Sequence, residues 1–376
     1  MLTATLTEKL AEISDPRRQN KNLRHALPNV LTIALCGIIC GCEEFTEMEE
    51  FGQAKFDFFD RFLNLKQGIP SHDTFGRVFA MVPPDAVIAT LSAWWEVKAG
   101  LADGERPGVN IDGKAMRGTG RGEACVHLVG AWASEQGLAL GQQAVDDKSN
   151  EIEAIPHLIE LLDIKDTVIT IDAAGTQKSI AAKIQENQAD YVLALKRNHP
   201  TLHDQVAECF LKATESGDSK LRHIRRCETS HGRQEARDYY TLPVPNALYE
   251  RHQWLGLKTI GMVIRTRQDK QTGEPHTAVR DYLSSLAPQV KAFAGYVRSH
   301  WSVENSLHWV LDVAFGEDGC TISNPTAAAN LSALNRLALS AFTSDDQIQR
   351  GVKTKRKVAG WKEDYLLDIL RKTLNL

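Results

Sequence analysis

The sequence lacks the excess of positive charge that many nucleic-acid-binding proteins carry. It has 44 Lys and Arg residues against 48 Asp and Glu residues, which gives a net charge of −4. Any contact with an anionic polymer would therefore depend on local basic patches, because the overall charge gives no attraction.

Long apolar runs, internal repeats and low-complexity segments are also missing from the sequence. The longest apolar run, Val30–Cys42, falls well short of the ~20 residues that a membrane span needs. It is predicted to be a core helix. The polar, acidic N-terminus does not resemble a signal peptide, so we expect a cytoplasmic protein.

The seven cysteines are too few and too scattered for a disulfide framework. Cys36, Cys40 and Cys42 form the only cluster. A structural zinc site needs four ligands, and no matching Cys or His pair follows nearby. These three residues are therefore predicted to be buried thiols, consistent with a reducing compartment.

The length of 376 residues suggests two or three domains at roughly 100–200 residues per domain. Helical periodicity predicts an N-terminal helical domain over residues 1–100. A change to strand-like patterns predicts a second domain over 101–346, with a polar, partly β insertion at about 200–285. A basic and then amphipathic helical tail is predicted over 347–376.

Alternating apolar and β-branched runs predict the order strand, strand, strand, helix, strand, helix, strand in the second domain. The predicted segments are Val109–Gly113, Cys125–Ala133, Leu138–Val145, Glu151–Leu162, Thr167–Ile171, Ser179–Gln188 and Tyr191–Leu195. Three strands joined by hairpins and followed by alternating helices and strands indicate a mixed sheet flanked by helices. The predicted fold is α/β and ribonuclease-H-like.

Two aspartates stand at the ends of predicted strands. Asp112 precedes Gly113, and Asp172 follows the β-branched run Thr167–Ile171. A carboxylate at the mouth of a buried strand is costly unless it is paired or binds a metal, and ligands of open sheets collect beyond the strand ends. Each aspartate alone could equally be a turn residue or a helix cap. Two on neighbouring strands favour a magnesium site.

A predicted helix over Val290–Phe315 carries the third candidate, Glu304. Helical spacing puts Trp301, Asn305, His308 and Asp312 on the same face as Glu304. The other side carries Val303, Leu307, Val310 and Leu311. The alternative is a polar helix side at an interdomain contact, and Asp312 is the nearest rival to Glu304. Three carboxylates can hold two divalent metal ions, Mg²⁺ or Mn²⁺.

Four segments in this order resemble the bacterial insertion-sequence DDE transposases that include the H-repeat-associated proteins. They are Asp15–Arg18 with Pro70–Phe75, Asn110–Lys114, Ile171–Gln177 with Tyr191–Lys196 and Asn198, and His300–Asp312 with Phe315, Glu317 and Asp318. The resemblance extends from about residue 10 to 340. It implies catalytic Asp112, Asp172 and Glu304, dependence on magnesium, and transposon-end DNA as substrate.

The match departs from its relatives at two places. Related transposases that form hairpin ends often carry Arg four residues before the glutamate and Lys seven residues after it. Here those positions are His300 and Leu311, which argues against a hairpin pathway. Family members also tend to be basic where this chain has Cys320–Ser323.

Candidate DNA contacts come from basic patches, since phosphate binding needs Lys and Arg presented together, and from the motifs themselves. They are Lys114, Lys196, Asn198, Arg225, Arg226, Arg233, Arg298, His300, Trp301, Asn305 and His308. The expected partner is double-stranded DNA, as transposon ends and as target. Bringing two ends together would suit a homodimer.

Two other functions fit the same motifs. One is an inactive relic that only binds DNA, and the other is a hydrolytic nuclease of the same fold. The N-terminal helical domain and the basic insertion favour a transposase, because a bare nuclease needs neither.

Overall fold

The structure, a computed structural model, describes residues 2–18, 23–92, 106–120, 125–145, 151–230, 233–268 and 274–373. The helices within these ranges are α1 Leu2–Leu10, α2 Leu27–Cys40, α3 Phe45–Ala54, α4 Phe56–Asp60, α5 His72–Met81, α6 Pro84–Ser92, α7 Glu151–Leu161, α8 Lys178–Glu186, α9 Pro200–Glu215, α10 Val290–Val303, α11 Trp309–Phe315, α12 Pro325–Thr343, α13 Val352–Trp361 and α14 Glu363–Thr373. The strands are β1 Gly108–Met116, β2 Val126–Ala133, β3 Leu138–Val145, β4 Val168–Ile171, β5 Asp190–Leu195, β6 Arg222–Ser230, β7 Arg233–Pro243, β8 Thr259–Gln268 and β9 Pro275–Ser284.

The chain forms two compact units whose boundaries cut across the domains expected from the sequence. Unit 1 comprises Met1–Lys98, Gly113–Leu162 and Val303–Leu376, and unit 2 comprises Ala99–Asp112 and Asp163–Ser302. Strand β1 contributes its first half to unit 2 and its second half to unit 1. The sheet order among the described strands is β3-β2-β1-β4-β5-β9-β8-β7-β6.

In unit 2, β1 pairs in parallel with β4, and β4 pairs in parallel with β5. Helix α8 is the crossover between β4 and β5, as parallel strands require. Strand β9 then runs antiparallel to β5. In unit 1, β2 and β3 form an antiparallel hairpin. This combination of antiparallel and parallel pairing confirms the predicted mixed, ribonuclease-H-like sheet.

Unit 1 has a helical core centred on α2. Twelve of the fourteen α2 residues are buried, because a helix that is apolar on all sides must be surrounded by other elements. Of the three thiols predicted to be buried, Cys36 and Cys42 are buried and Cys40 is partly exposed. Burial raises the pKa of Cys42 to about 12. Within the described ranges no individual helix has the length and apolar composition to cross a membrane; α2 and α3 meet that test only as a pair bent by 95°.

The predicted insertion contains α9 and four antiparallel strands, β6 to β9, in unit 2. The partly β character predicted for the insertion comes from strand patterns at Lys258–Thr266 and His276–Leu283. These correspond to β8 and β9, whereas β6 and β7 are not predicted. One face of this extension packs Tyr239, Val263 and Tyr282 against Phe293 and Val297 of α10. The core of unit 2 therefore lies between the insertion strands and α10.

A buried carboxylate in β9 predicts pH-dependent stability. Asp281 is 3% exposed, and its Oδ2 lies 3.5 Å from His203 Nε2 of α9. Among the described residues its Oδ1 has no hydrogen-bond partner. Burial, partly opposed by His203, raises the pKa of Asp281 from 3.8 to about 6. The folded state thus holds this proton more tightly than the unfolded state does.

The stability contributed by that proton is fully present below pH 3.8 and is lost as the pH rises through about 6. We expect Asp281→Asn to gain about 3 kcal/mol relative to wild type between pH 4 and pH 8, measured by denaturant unfolding at both pH values. Asp204→Asn is the control, because Asp204 also lies near His203 but is 76% exposed. Equal pH dependence of Asp281→Asn and wild type would contradict the assignment.

Candidate active site

Asp112 and Asp172 lie at the same edge of the sheet in unit 2. The register between β1 and β4 stops at Ile111 and Ile171. Asp172 directly follows β4, whereas Asp112 lies within β1, which continues to Met116 and therefore does not end where the sequence predicted. Both are partly exposed. The Oδ1 of Asp172 accepts the N–H groups of Ala174 at 2.9 Å and Gly175 at 3.3 Å. These bonds orient the carboxylate, and they do not use its Oδ2.

A buried polar network lies two residues before the aspartates on the same two strands. Asn110 and Thr170 face each other in the register and precede the aspartates by two residues, hence on the same strand faces. The Thr170 hydroxyl donates to Asn110 Oδ1 at 2.7 Å and lies 2.8 Å from His300 Nδ1. Asn110 Nδ2 donates to Ser299 Oγ at 3.2 Å. Helix α10 is therefore fixed against β1 and β4.

The network determines the tautomer and the protonation state of the His300 imidazole. Because the Thr170 proton goes to Asn110, the remaining role of Thr170 Oγ1 is to accept from His300 Nδ1–H. Burial lowers the pKa of His300 to about 4, with Asp172 raising it and Arg280 lowering it further. His300 is thus neutral at pH 7 with its lone pair on Nε2. It therefore contributes no positive charge beside Asp172 at this pH.

Glu304 belongs to unit 1 and begins a π-helical turn, Glu304–His308, between α10 and α11. Such turns are rare in α-helices and are frequent at functional sites. Its side chain is 75% exposed, and its Oε2 lies 3.6 Å from His308 Nδ1. Asn305 is also exposed. The geometry gives the carboxylate access to an external ligand.

The predicted helix faces are confirmed in part. Val303, Leu307 and Leu311 are buried, as expected for the side packed on the core. His308, predicted to share the face of Glu304, is only 7% exposed. The wider π turn rotates the residues that follow it relative to an unbroken α-helix, and helical spacing alone does not show this change.

Asp312, the rival to Glu304, is engaged in an ion pair. Its Oδ1 lies 2.7 Å from Lys114 Nζ, which also lies 3.2 Å from Glu317 Oε2. The Lys114 side chain is 7% exposed. Lys114 therefore supports the core of unit 1, and we do not include it among the proposed phosphate contacts. Glu304 is the more accessible carboxylate of this helix.

The loop candidates of unit 2 differ in what they contact. Lys196 is exposed just beyond β5. Asn198 donates from Nδ2 to the Ala173 carbonyl at 2.7 Å, which ties the loop after β5 to the loop that carries Asp172. Asn198 thus has a positioning role close to the aspartates.

The arginine candidates of the insertion do not form a single patch. Arg225 and Arg226 are both exposed but are neighbours in β6, so they point to opposite faces. Arg225 lies 3.8 Å from Asp238. Arg298 donates to both carboxylate oxygens of Glu228, at 3.2 and 3.1 Å. Arg233 begins β7, and its side chain lies outside the described residues.

Two basic residues of the predicted tail have structural roles. Lys355 donates to the carbonyls of Phe342 and Asp345. Arg356 is 2% exposed and donates to the carbonyls of Ile38 and Cys42. It thereby bonds the chain just at and after the C-terminus of α2, where Ile38 O also accepts the Gly41 N–H at 3.2 Å. The sequence shows the charges but not these distant acceptors.

The chemistry of the candidate ligands suits magnesium. Asp112 and Asp172 offer hard carboxylate oxygens at one sheet edge, where Mg²⁺ is typically bound by one or two carboxylates. Glu304 supplies a third carboxylate in the sequence. Over the described ranges, no three His, Cys, Asp or Glu side chains are grouped as a complete metal site.

Comparisons with known proteins give the family. Residues 7–95 match the model described as "DDE_Tnp_1-associated", and residues 103–340 match "Transposase DDE domain". "Putative transposase YncI" of Escherichia coli O157:H7 is 36% identical over 98% of this chain and 95% of its own length. "H repeat-associated putative transposase YhhI" of Escherichia coli K12 is 34% identical over 97% of both.

One similar solved structure is the piggyBac transposase synaptic complex with hairpin DNA. It has a TM-score of 0.42 and 13% identity, and covers 100% of this chain and 79% of that chain. This likeness is too distant to carry an argument. The two family matches and the two near full-length relatives confirm the family expected from the motifs. The chain therefore belongs to the DDE transposase family, within the group that includes the H-repeat-associated transposases.

Proposed function

We propose that this protein catalyses metal-dependent DNA cleavage and strand transfer at the ends of an insertion sequence. The observation that carries the proposal is the position of Asp112 and Asp172 directly after Ile111 and Ile171, the last residues that pair between the parallel strands β1 and β4. Glu304 is the proposed third catalytic carboxylate, supported by its exposure and by the π turn that it begins.

The three carboxylates would hold two Mg²⁺ or Mn²⁺ ions. When bound, such ions activate the attacking oxygen and stabilise the leaving oxygen in phosphoryl transfer. The protein's own part is orientation. The backbone N–H groups of Ala174 and Gly175 fix the Asp172 carboxylate, and the Asn110–Thr170–His300 network fixes α10 against the strands.

Double-stranded DNA is the proposed partner, as transposon ends and as target. Lys196, Arg226 and Asn305 are exposed and available to phosphates or bases. Two ends must be brought together for transposition, so we infer a homodimer on DNA. Arg298, His300 and Trp301 lie on α10 and would act at the same face as the aspartates.

The test is an in vitro reaction with purified full-length protein, labelled duplexes that carry the inverted repeats flanking the gene, and a supercoiled target plasmid. We expect 3′-end cleavage and joining to the plasmid with Mg²⁺ or Mn²⁺, and neither in EDTA. A duplex with scrambled ends is the control. Cleavage without joining would favour a nuclease, and no cleavage by wild type would favour an inactive DNA-binding protein.

A further inference from the structure

The insertion face that packs on α10 carries an unusual row of like charges. Arg226, Arg237 and Arg265 stand directly opposite one another across β6, β7 and β8. Like charges at opposed positions of a sheet destabilise it. A row of three arginines is therefore costly unless carboxylates or an external anion offset it.

Two glutamates offset part of this charge. Glu228 accepts from Arg237 at 2.9 Å and from Arg298, and Glu235 accepts from Arg265 at 2.8 Å and also pairs with Arg237. Burial tends to raise the pKa values of Glu228 and Glu235, but the arginine contacts lower both below 4.5. Both glutamates are thus ionised and saturated with arginine partners.

Arg280 on the same face is left without such a partner. It lies opposite Val263 in the register, and Val263 is two residues from Arg265, so Arg280 and Arg265 share a face. Among the described residues, no carboxylate lies within ion-pairing distance of Arg280. The residue is only partly exposed, and burial, reinforced by Arg265, lowers its pKa. An arginine stays charged even so.

The Arg280 guanidinium is held in a fixed orientation by Trp301. Its central carbon lies 3.8 Å from the centre of the indole ring, a stacked cation–π contact. The Trp301 side chain also acts on Tyr282, which lies two residues after Arg280 and hence on the same face of β9. Stacking covers one plane of the guanidinium but leaves the N–H donors at its edge for an oxyanion.

Arg280 also lies close to the aspartates of unit 2. Asp172 raises the pKa of His300 and Arg280 lowers it, so both charged groups lie near the same imidazole. In the register, Tyr282 pairs with Ala194 of β5, next to Leu193, which pairs with Ile171. Asp172, the residue after Ile171, is therefore level with Tyr282. Arg280 lies two residues before Tyr282 on the same face of β9.

We propose that Arg280, backed by Trp301, binds a phosphate of the DNA backbone beside the candidate active site. The inference rests on the proposed function for the identity of the polymer, but it concerns binding only. A phosphodiester oxygen supplies the anion that this half-buried cation lacks. The Arg guanidinium can donate two parallel hydrogen bonds to a phosphate. In this contact Trp301 acts as a positioning residue for the Arg280 guanidinium.

The experiment measures binding of a fluorescein-labelled duplex of arbitrary sequence to the full chain in EDTA, over a series of NaCl concentrations. We expect Arg280→Gln to weaken binding roughly tenfold and to lower the slope of log K against log [NaCl] by about 0.9. Trp301→Leu keeps the charge, so it should weaken binding while the salt slope stays unchanged.

Lys212→Gln is the matched control. It removes one positive charge from the same unit, but Lys212 is 71% exposed on α9, whose His203 contacts Asp281 on the opposite face of β9. Its effect should stay below about twofold, as expected for a screened charge. Equal loss in Lys212→Gln and Arg280→Gln would overturn the inference, because it would reflect net charge alone.

Further measurements distinguish a loss of DNA binding from misfolding and from a loss of cleavage activity. Removing an unpaired half-buried cation should leave the melting temperature equal or higher, and inorganic phosphate should raise it in wild type but not in Arg280→Gln. If Arg280→Gln fails to fold, Arg280→Lys serves instead, and wild-type affinity in that variant overturns the proposal. Wild-type binding by Arg280→Gln alongside normal cleavage rejects this site only. Weakened binding with no cleavage by wild type rejects the transposase activity only.

Discussion

Asp112→Asn, Asp172→Asn and Glu304→Gln are each expected to reduce DNA cleavage roughly 10³-fold or more, as loss of an essential catalytic group does. Each change keeps the shape of the side chain and removes the negative charge that would hold a divalent cation. In Asp172→Asn the amide oxygen can still accept from Ala174 and Gly175, so the local turn is preserved. The measurement is the single-turnover cleavage rate in Mg²⁺.

Stability and binding serve as controls for these variants. Glu304 is 75% exposed, so Glu304→Gln should melt like wild type and bind duplex DNA in EDTA like wild type. Glu208→Gln, on an exposed face of α9 with its side chain 56% exposed, should cleave normally. Normal cleavage by Asp112→Asn or Asp172→Asn would remove the basis of the catalytic assignment.

The strands around the aspartates could be predicted from the sequence because they are buried on both sides. Every residue of Val168–Ile171 is buried and β-branched, so the end of this strand is clear. The predicted Leu138–Val145 has the same bounds as β3, in which buried and partly exposed residues alternate at the start. Continuous burial and regular alternation are both visible in a single sequence.

Strands β6 and β7 could not be predicted in the same way. Their pairing gives Arg226 opposite Arg237 and Glu228 opposite Glu235, so charged residues stand where an amphipathic strand would be apolar. The segment Arg222–Ser230 has only partly exposed or fully exposed side chains over its described positions. Polar strands of this kind have no hydrophobic alternation to detect.

The register of β1 and β4 brings the positions of Asp112 and Asp172 side by side. The end of β4 before Asp172 could be predicted from local sequence, but the continuation of β1 beyond Asp112 to Met116 could not. Lys114 was misplaced among exposed cations because its partners, Asp312 and Glu317, lie about 200 residues away in the chain. Arg280 was missed because only the paired strands reveal that neighbouring arginines have carboxylates and it does not. Long-range charge pairing is the information that one sequence does not display.

The pairing of Glu317 with Lys114 and Arg336 predicts that Glu317→Ala strongly lowers the stability of the protein. The Glu317 side chain is fully buried, accepts from Ser332 at 2.5 Å and Arg336 at 2.9 Å, and lies 3.2 Å from Lys114 Nζ. Burial alone would raise its pKa, but Arg336 and Lys114 lower it. Removing the carboxylate leaves Arg336 buried without its partner. We expect a loss of about 3–5 kcal/mol in unfolding free energy, typical of a broken buried ion pair.

Because the pKa of Glu317 is lowered, the stability that this network contributes depends on pH. Its stabilisation is present above pH 4.5, the ordinary value for this group, and is lost as the pH falls through the depressed folded value. Wild type should therefore lose stability on acidification more steeply than Glu317→Ala. Denaturant unfolding at pH 7 and pH 4 measures both effects.

The exposed Glu304 provides the matched comparison within the same motif, thirteen residues before Glu317. Glu304→Gln should lose cleavage and keep stability, whereas Glu317→Ala should lose stability first. Replacing Lys114, Glu317 and Arg336 together with Met, Leu and Met should recover part of that stability, because an apolar core of similar volume avoids the desolvation of three charges. A Glu317→Ala variant that is as stable as wild type yet fails to cleave DNA would instead place this carboxylate in the catalytic chemistry.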